Sequence, residues 1–192
     1  MKRILLAALI GGLIAFAWSA FVHMALPIGM GGMQPLPREE SVLAPMKDAI
    51  TESGLYFFPG IDMRGKPSAE ERTAWEAKMR AGPHGMILYH PQGAEPMMVS
   101  QLVWEFVTDV IAALIACLVL IQIGSGRLRR ALTVMLFGVF SWFAISASQR
   151  IFYEFPGAFA LLDLIDQVGS WFLAGLAMAG MVRSSNRERR FS

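Results

Sequence analysis

Two acids, Glu105 and Asp109, stand four residues apart at the head of an otherwise apolar run, Leu102 to Leu120, and a second pair, Asp163 and Asp166, opens another. His23 lies near the close of the first apolar run, and Arg150 and Glu154 near the close of the third. An ionisable side chain costs about 2.5–3.5 kcal/mol at the centre of a membrane helix, so each of these is a functional candidate. Together they could do one of three things. Arg150 could bridge Asp166 and Glu105 and fix the helices, with Asp109 protonated and bonded to Ser170 or another hydroxyl. The carboxylates could instead pass protons or hold a cation. His23 with carboxylates could also serve acid/base chemistry or ligate a divalent metal.

Charge does not balance in this set. Five acids, Glu105, Asp109, Glu154, Asp163 and Asp166, face Arg150 and a protonatable His23. If Glu154 and Asp163 sit at the wet interface, three acids still compete for one arginine. A proton, a bound cation or water must make up the difference.

A second set combines thioethers with imidazoles: Met86 between His84 and His90, Met30 and Met33 around two glycines, and the pair Met97-Met98. Such donors could bind a Cu(I) ion, although Met is also a common filler of apolar gaps. No Walker A, G-x-G-x-x-G, G-x-S-x-G or Cys-rich metal motif is present. Cys117 is the single cysteine, so no intrachain disulfide forms. His23 is the one histidine near a span and lies at its edge, which argues against a bis-His haem in the bilayer.

The elements that must position these residues are transmembrane helices. Hydrophobic residues are 55% of the 192 and charged residues 17%, well under the roughly 25% charged of soluble proteins. A bilayer core about 30 Å thick takes roughly 20 helical residues to cross, and four runs are long enough: 4–26, 97–123, 131–152 and 159–182. Lys2 and Arg3, then Arg127, Arg129 and Arg130 in a 124–130 turn, then Arg183, Arg187, Arg189 and Arg190 in a 183–192 tail all fall on one side. The positive-inside rule makes that side the cytoplasm and both termini cytoplasmic. Residues 27–96 and a short loop, 153–158, then lie outside. The first run also meets the crude criteria of a signal peptide, but it continues to full spanning length. It carries an i+4 stripe of Ala7, Gly11, Ala15 and Ser19, extended by His23, of the kind that lets helices approach closely in lipid. The alanines after Asp109 and the Ser170, Ala174, Ala177, Met181 series after Asp166 give two further small-residue faces, which are expected to pack on the first.

The 27–96 segment carries seven Lys/Arg and nine Asp/Glu and is too long for a bare connection. Ser68 and Glu71 match a capping box, predicting a helix closed at Gly82-Pro83, and an earlier helix is expected over 38–53, bent or restarted at Pro45. "GLYFFPG" and "GMILYHP" read as strands able to pair with each other. Tyr56, Phe57, Phe58, Trp75 and Tyr89 either form a small core resting on the membrane surface or line a pocket for an amphipathic ligand such as a lipid or quinone. The first and third spans echo each other ("FAWSAFVHMALP", "FSWFAISASQRIFYEFP"), as in transporters built from parallel repeats.

The sequence therefore predicts an all-α membrane protein: a four-transmembrane-helix bundle with a small extracytoplasmic α+β cap between helices 1 and 2, resembling small bacterial inner-membrane proteins. The expected role is that of an accessory or binding protein engaging membrane lipids, another membrane protein or a second copy, with no nucleic acid. An oligomeric proton- or cation-coupled transporter or channel is the alternative. An embedded enzyme using His23 and carboxylates is the third reading.

Overall fold

The computed structural model describes residues 1–26, 32–124 and 126–183. Met30 and the tail arginines Arg187, Arg189 and Arg190 lie outside the described residues. Among those described, four helices are long and apolar enough to cross a bilayer: α1 (Lys2–Ala25), α4 (Val99–Gln122), the third span (Arg127–Tyr153) and α7 (Gly157–Met181). At 1.5 Å per residue, 24 residues reach about 36 Å, enough for the hydrocarbon core. The chain is a multi-pass membrane protein, mostly helical, with a small β-hairpin region between its first two spans.

The third span is composite. It begins as α5 (Arg127–Ser141), widens into a π-helical turn (Trp142–Ser146) and continues as α6 (Ala147–Tyr153). The helix starts ahead of the apolar run that begins at 131, so Arg127, Arg129 and Arg130 of the basic turn are already helical. Only Glu154 to Pro156 separate α6 from α7.

Two compact units divide the chain, 1–34 with 97–192 and 35–96. In the first, α1 packs against both α4 and α7, and α7 packs against α5. The sequential neighbours α4 and α5 approach each other only slightly. An exact repeat would require an α4–α5 interface equal to that of α1 and α7, so any internal echo does not extend to the packing. Glycine sets the closest approaches: a Cβ on Gly12 would fall 2.7 Å from the Val110 backbone, and one on Gly138 would strike the Gln167 carbonyl. Toward the chain termini, Ala7, Ala8, Ala113, Ala116, Cys117, Leu120, Val134, Ala174, Met178 and Val182 form one buried core drawn from all four spans. Small side chains dominate it, as expected where helices associate in lipid by close packing.

In the second unit α2 (Glu39–Ala49) runs through Pro45, and α3 (Ala69–Ala81) starts at the Ser68–Glu71 capping box and stops at Gly82. Strands β1 (Gly54–Phe58) and β2 (Gly85–Tyr89) pair antiparallel, Gly54 opposite Tyr89 and Phe58 opposite Gly85.

Candidate functional site

Asp166 is the centre of the polar groups in the spans. It sits nine residues into α7, about 14 Å along the helix, and is 8% exposed. Its Oδ2 accepts from Ser19 Oγ at 3.0 Å and lies 3.3 Å from His23 Nε2, while Oδ1 accepts from Ser170 Oγ at 3.2 Å. The i+4 stripe of α1 therefore delivers Ser19 and His23 to one carboxylate, and Trp18 Nε1 reaches the Ile165 carbonyl beside them at 3.4 Å. The His23 side chain is 45% exposed, so it links a buried acid to the surroundings of the bundle.

Asp109 lies near this node, on α4, within electrostatic range of Glu105 and Asp166. Its Oδ2 is buried and has no hydrogen-bond partner among the described residues. Glu105, one turn earlier, is exposed. The packing face of α4 runs through Ala113, Ala116, Cys117 and Leu120; of the two alanines expected after Asp109, Ala116 lies on this face and Ala112 is half-buried at its edge.

Asp163 belongs to a separate arrangement, on the side of α7 that meets the third span. Ser146 donates to it, Ser141 Oγ donates to Gln167 Oε1 at 2.9 Å, and Trp142 Nε1 donates to the Ala160 carbonyl at 2.8 Å. All three donors come from the π-helical turn or its edge. Arg150 does not bridge Asp166 and Glu105: it is exposed and its guanidinium donates to the Phe155 carbonyl at 2.6 Å. That bond closes the short turn into α7. The basic side chain in contact with Asp166 is instead His23.

Arg130, read from the sequence only as a topology charge, is the one buried Lys or Arg among the described residues. It is 6% exposed; NH1 donates to the carbonyls of Ala179 and Val182 at 2.7 Å each, and NH2 to Leu120 at 3.1 Å. One guanidinium thus serves carbonyls at the C-terminal ends of both α4 and α7, where i+4 amides run out; the Leu120 carbonyl also accepts from the Ile123 amide at 3.3 Å. Its position four residues before Val134, on the buried face of α5, is the signal that marks it.

In the 35–96 unit, Trp75 Nε1 donates to the Pro59 carbonyl at 2.9 Å. Trp75 also lines a shallow cavity of about 420 Å³ with Ile61, Asp62, Glu71 and Lys78 among its walls. Tyr56, Phe57, Phe58 and Tyr89 take no part in that cavity. The Arg64 side chain, and then its backbone amide, hold the Asp62 carboxyl below the usual range, and the Ser68 amide does the same for Glu71. Met86 lies within β2, with His84 just before the strand and His90 just after it. Among the described residues no three His, Cys, Asp or Glu side chains gather as a metal-holding group.

Comparison with protein-family models, curated proteins and solved structures found no match to this chain.

Proposed function

We propose that this chain is a membrane-embedded accessory or binding protein: a four-helix bundle with cytoplasmic termini and an extracytoplasmic cap, which engages a partner subunit or amphipathic ligand through the polar half around Asp166. The observation that carries this reading is the blind end of the polar region. Asp166, Ser19, Ser170, His23 and Asp109 occupy the half of the bundle where α1 ends and α4 and α7 begin. The other half is the packed small-residue core, with Arg130 committed to three carbonyls beyond it. A site that ends on a dry core suits holding a ligand better than passing one through. The basic residues Lys2, Arg3, Arg127, Arg129, Arg130 and Arg183 at the terminal end support the orientation.

The unpartnered Asp109 Oδ2 favours a second reading, in which the acids carry a proton or cation as part of an oligomeric transporter.

Purification in mild detergent, followed by native mass spectrometry of the parent and of Asp166→Asn, tests the first reading. The parent is expected to retain a subunit or lipid that the folded variant releases. A clean monomer with nothing bound, unchanged by the substitution, would contradict it. Proton or cation flux in liposomes that disappears in a folded Asp109→Asn variant would put the second reading in its place.

A further inference from the structure

We infer that the outward face of the β-hairpin is a membrane-surface anchor: Leu55 and Leu88, side by side across β1 and β2, seat in the lipid interface.

Strand alternation divides the hairpin into two unlike faces. The register places Tyr56 opposite Ile87 and Gly54 opposite Tyr89 on one of them. That face is the more covered one at its Gly54–Tyr89 end, with Tyr89 buried at 7% and Tyr56 and Ile87 half-buried, while Phe58 at the other end is exposed and Met86 on the opposite face is half-buried. The other face carries Leu55 opposite Leu88 and Phe57 opposite Met86. It holds no charged or polar side chain, yet Leu55 is 55% exposed and Leu88 70%. A two-stranded sheet is marginal in water and needs cover for an apolar face.

Chain connectivity selects lipid as that cover. Leu88 stands only eleven residues before the membrane helix α4 begins at Val99, a tether of at most about 40 Å. A bilayer surface is thus always within range of this segment, whereas a soluble partner must be recruited. An uncharged Leu/Leu/Phe/Met face offers such a partner no electrostatic complement, but it meets the requirement for shallow burial at the headgroup boundary. This inference is independent of the Asp166 node.

The test uses the full chain in lipid nanodiscs with a nitroxide at Leu88→Cys and, separately, at Leu55→Cys. The native Cys117 is fully buried and is expected to stay unlabelled, which the parent protein checks. Both labels should collide with dissolved oxygen several-fold more often, relative to a water-soluble nickel chelate, than free label in buffer does. Free access of the nickel chelate at both positions would overturn the anchor. Shielding from both reagents, with an immobilised spectrum, would mean protein cover and overturn it too. Spin–spin broadening that vanishes on dilution with unlabelled protein would assign the face to a second copy and likewise refute the inference. The two positions guard against one variant failing to fold.

Discussion

Replacing Arg130 by alanine removes a side chain that serves the ends of α4 and α7 together. It makes three short bonds, two at 2.7 Å and one at 3.1 Å. Hydrogen bonds to a charged group are worth about 1.5–3 kcal/mol each, a gross loss of roughly 5–9 kcal/mol. The desolvation of the guanidinium, which the substitution relieves, offsets part of that sum. A net destabilisation of about 3–5 kcal/mol remains, because a buried carbonyl left without its donor costs about 1–3 kcal/mol and two or three carbonyls lose theirs. Since 1.4 kcal/mol is tenfold in an equilibrium constant, the folded-to-unfolded ratio should fall by roughly a hundredfold or more. Arg130→Lys should recover part of it, because a compact ammonium cannot fork to both helix ends; its loss should be about 1–3 kcal/mol. Denaturant titration in mild detergent micelles, followed by circular dichroism, measures all three proteins. The contact is buried, so raising salt should leave the difference in place. An alanine variant within about 0.5 kcal/mol of the parent, or a difference abolished by salt, would refute the argument.

At the Asp166 node, alanine should cost more than asparagine, by about 1–2 kcal/mol, because it leaves the Ser19 and Ser170 hydroxyls without their acceptor; equal unfolding midpoints would count against the bonds. Gly12→Val should separate α1 from α4, since even a Cβ meets the Val110 backbone at 2.7 Å, with a loss of about 1–3 kcal/mol from overpacking; a midpoint equal to the parent's would show the helices can part freely. Glu71 is bonded to the Ser68 amide, so its folded carboxyl titrates below its unfolded value. Its contribution to the α3 start is complete above the unfolded value, roughly pH 4.3, and fades as pH falls through the lower folded one. Carboxyl NMR titration should show the depressed midpoint, and Ser68→Ala should raise it; an ordinary midpoint in the parent would exclude the box in solution.

Much of this architecture could be read from the sequence because the relevant signals are local. Span length needs only a count of apolar residues, and Ser68, Glu71 and Gly82 carry the bounds of α3 within one turn at each end. Ser19 and His23, at the end of the α1 stripe, both meet Asp166, although the His23 side chain is also 45% exposed. Arg150 was misassigned because sequence reasoning pairs charges by sign, whereas this guanidinium finds a nearer acceptor in the carbonyl of Phe155. Arg130 was overlooked for the converse reason: a charge at the positive end of a membrane protein already has an explanation in topology. The division of the acids between two sides of α7 depends on which helices are neighbours. That choice is set by Gly12, Gly138 and the other close approaches, not by any one helix's periodicity.

The register of the third span depends on a departure from helical period that no periodicity count contains. Arg130, Val134 and Gly138 step along the α7-facing side by fours, and an unbroken helix would bring Ile145 to that side a turn after Trp142. Instead Ile145 is 58% exposed and Ser146 is 8% exposed, because the π-helical turn accommodates one extra residue, with the Ala147 amide bonding to the Trp142 carbonyl. Ser146 thereby reaches Asp163. Deleting the exposed Ala144 should close the wide turn to an α-helix while both flanks keep their faces on α7. Deleting Leu136, also exposed but in the regular part of α5, must rotate Arg130 and Val134 by about 100° away from α7. The first variant should therefore purify as a folded protein with an unfolding midpoint near the parent's, and the second should lose at least the Arg130 contribution. If the two deletions proved equally damaging, the wide turn would not be what sets the register, and the placement of Ser146 against Asp163 would need another cause.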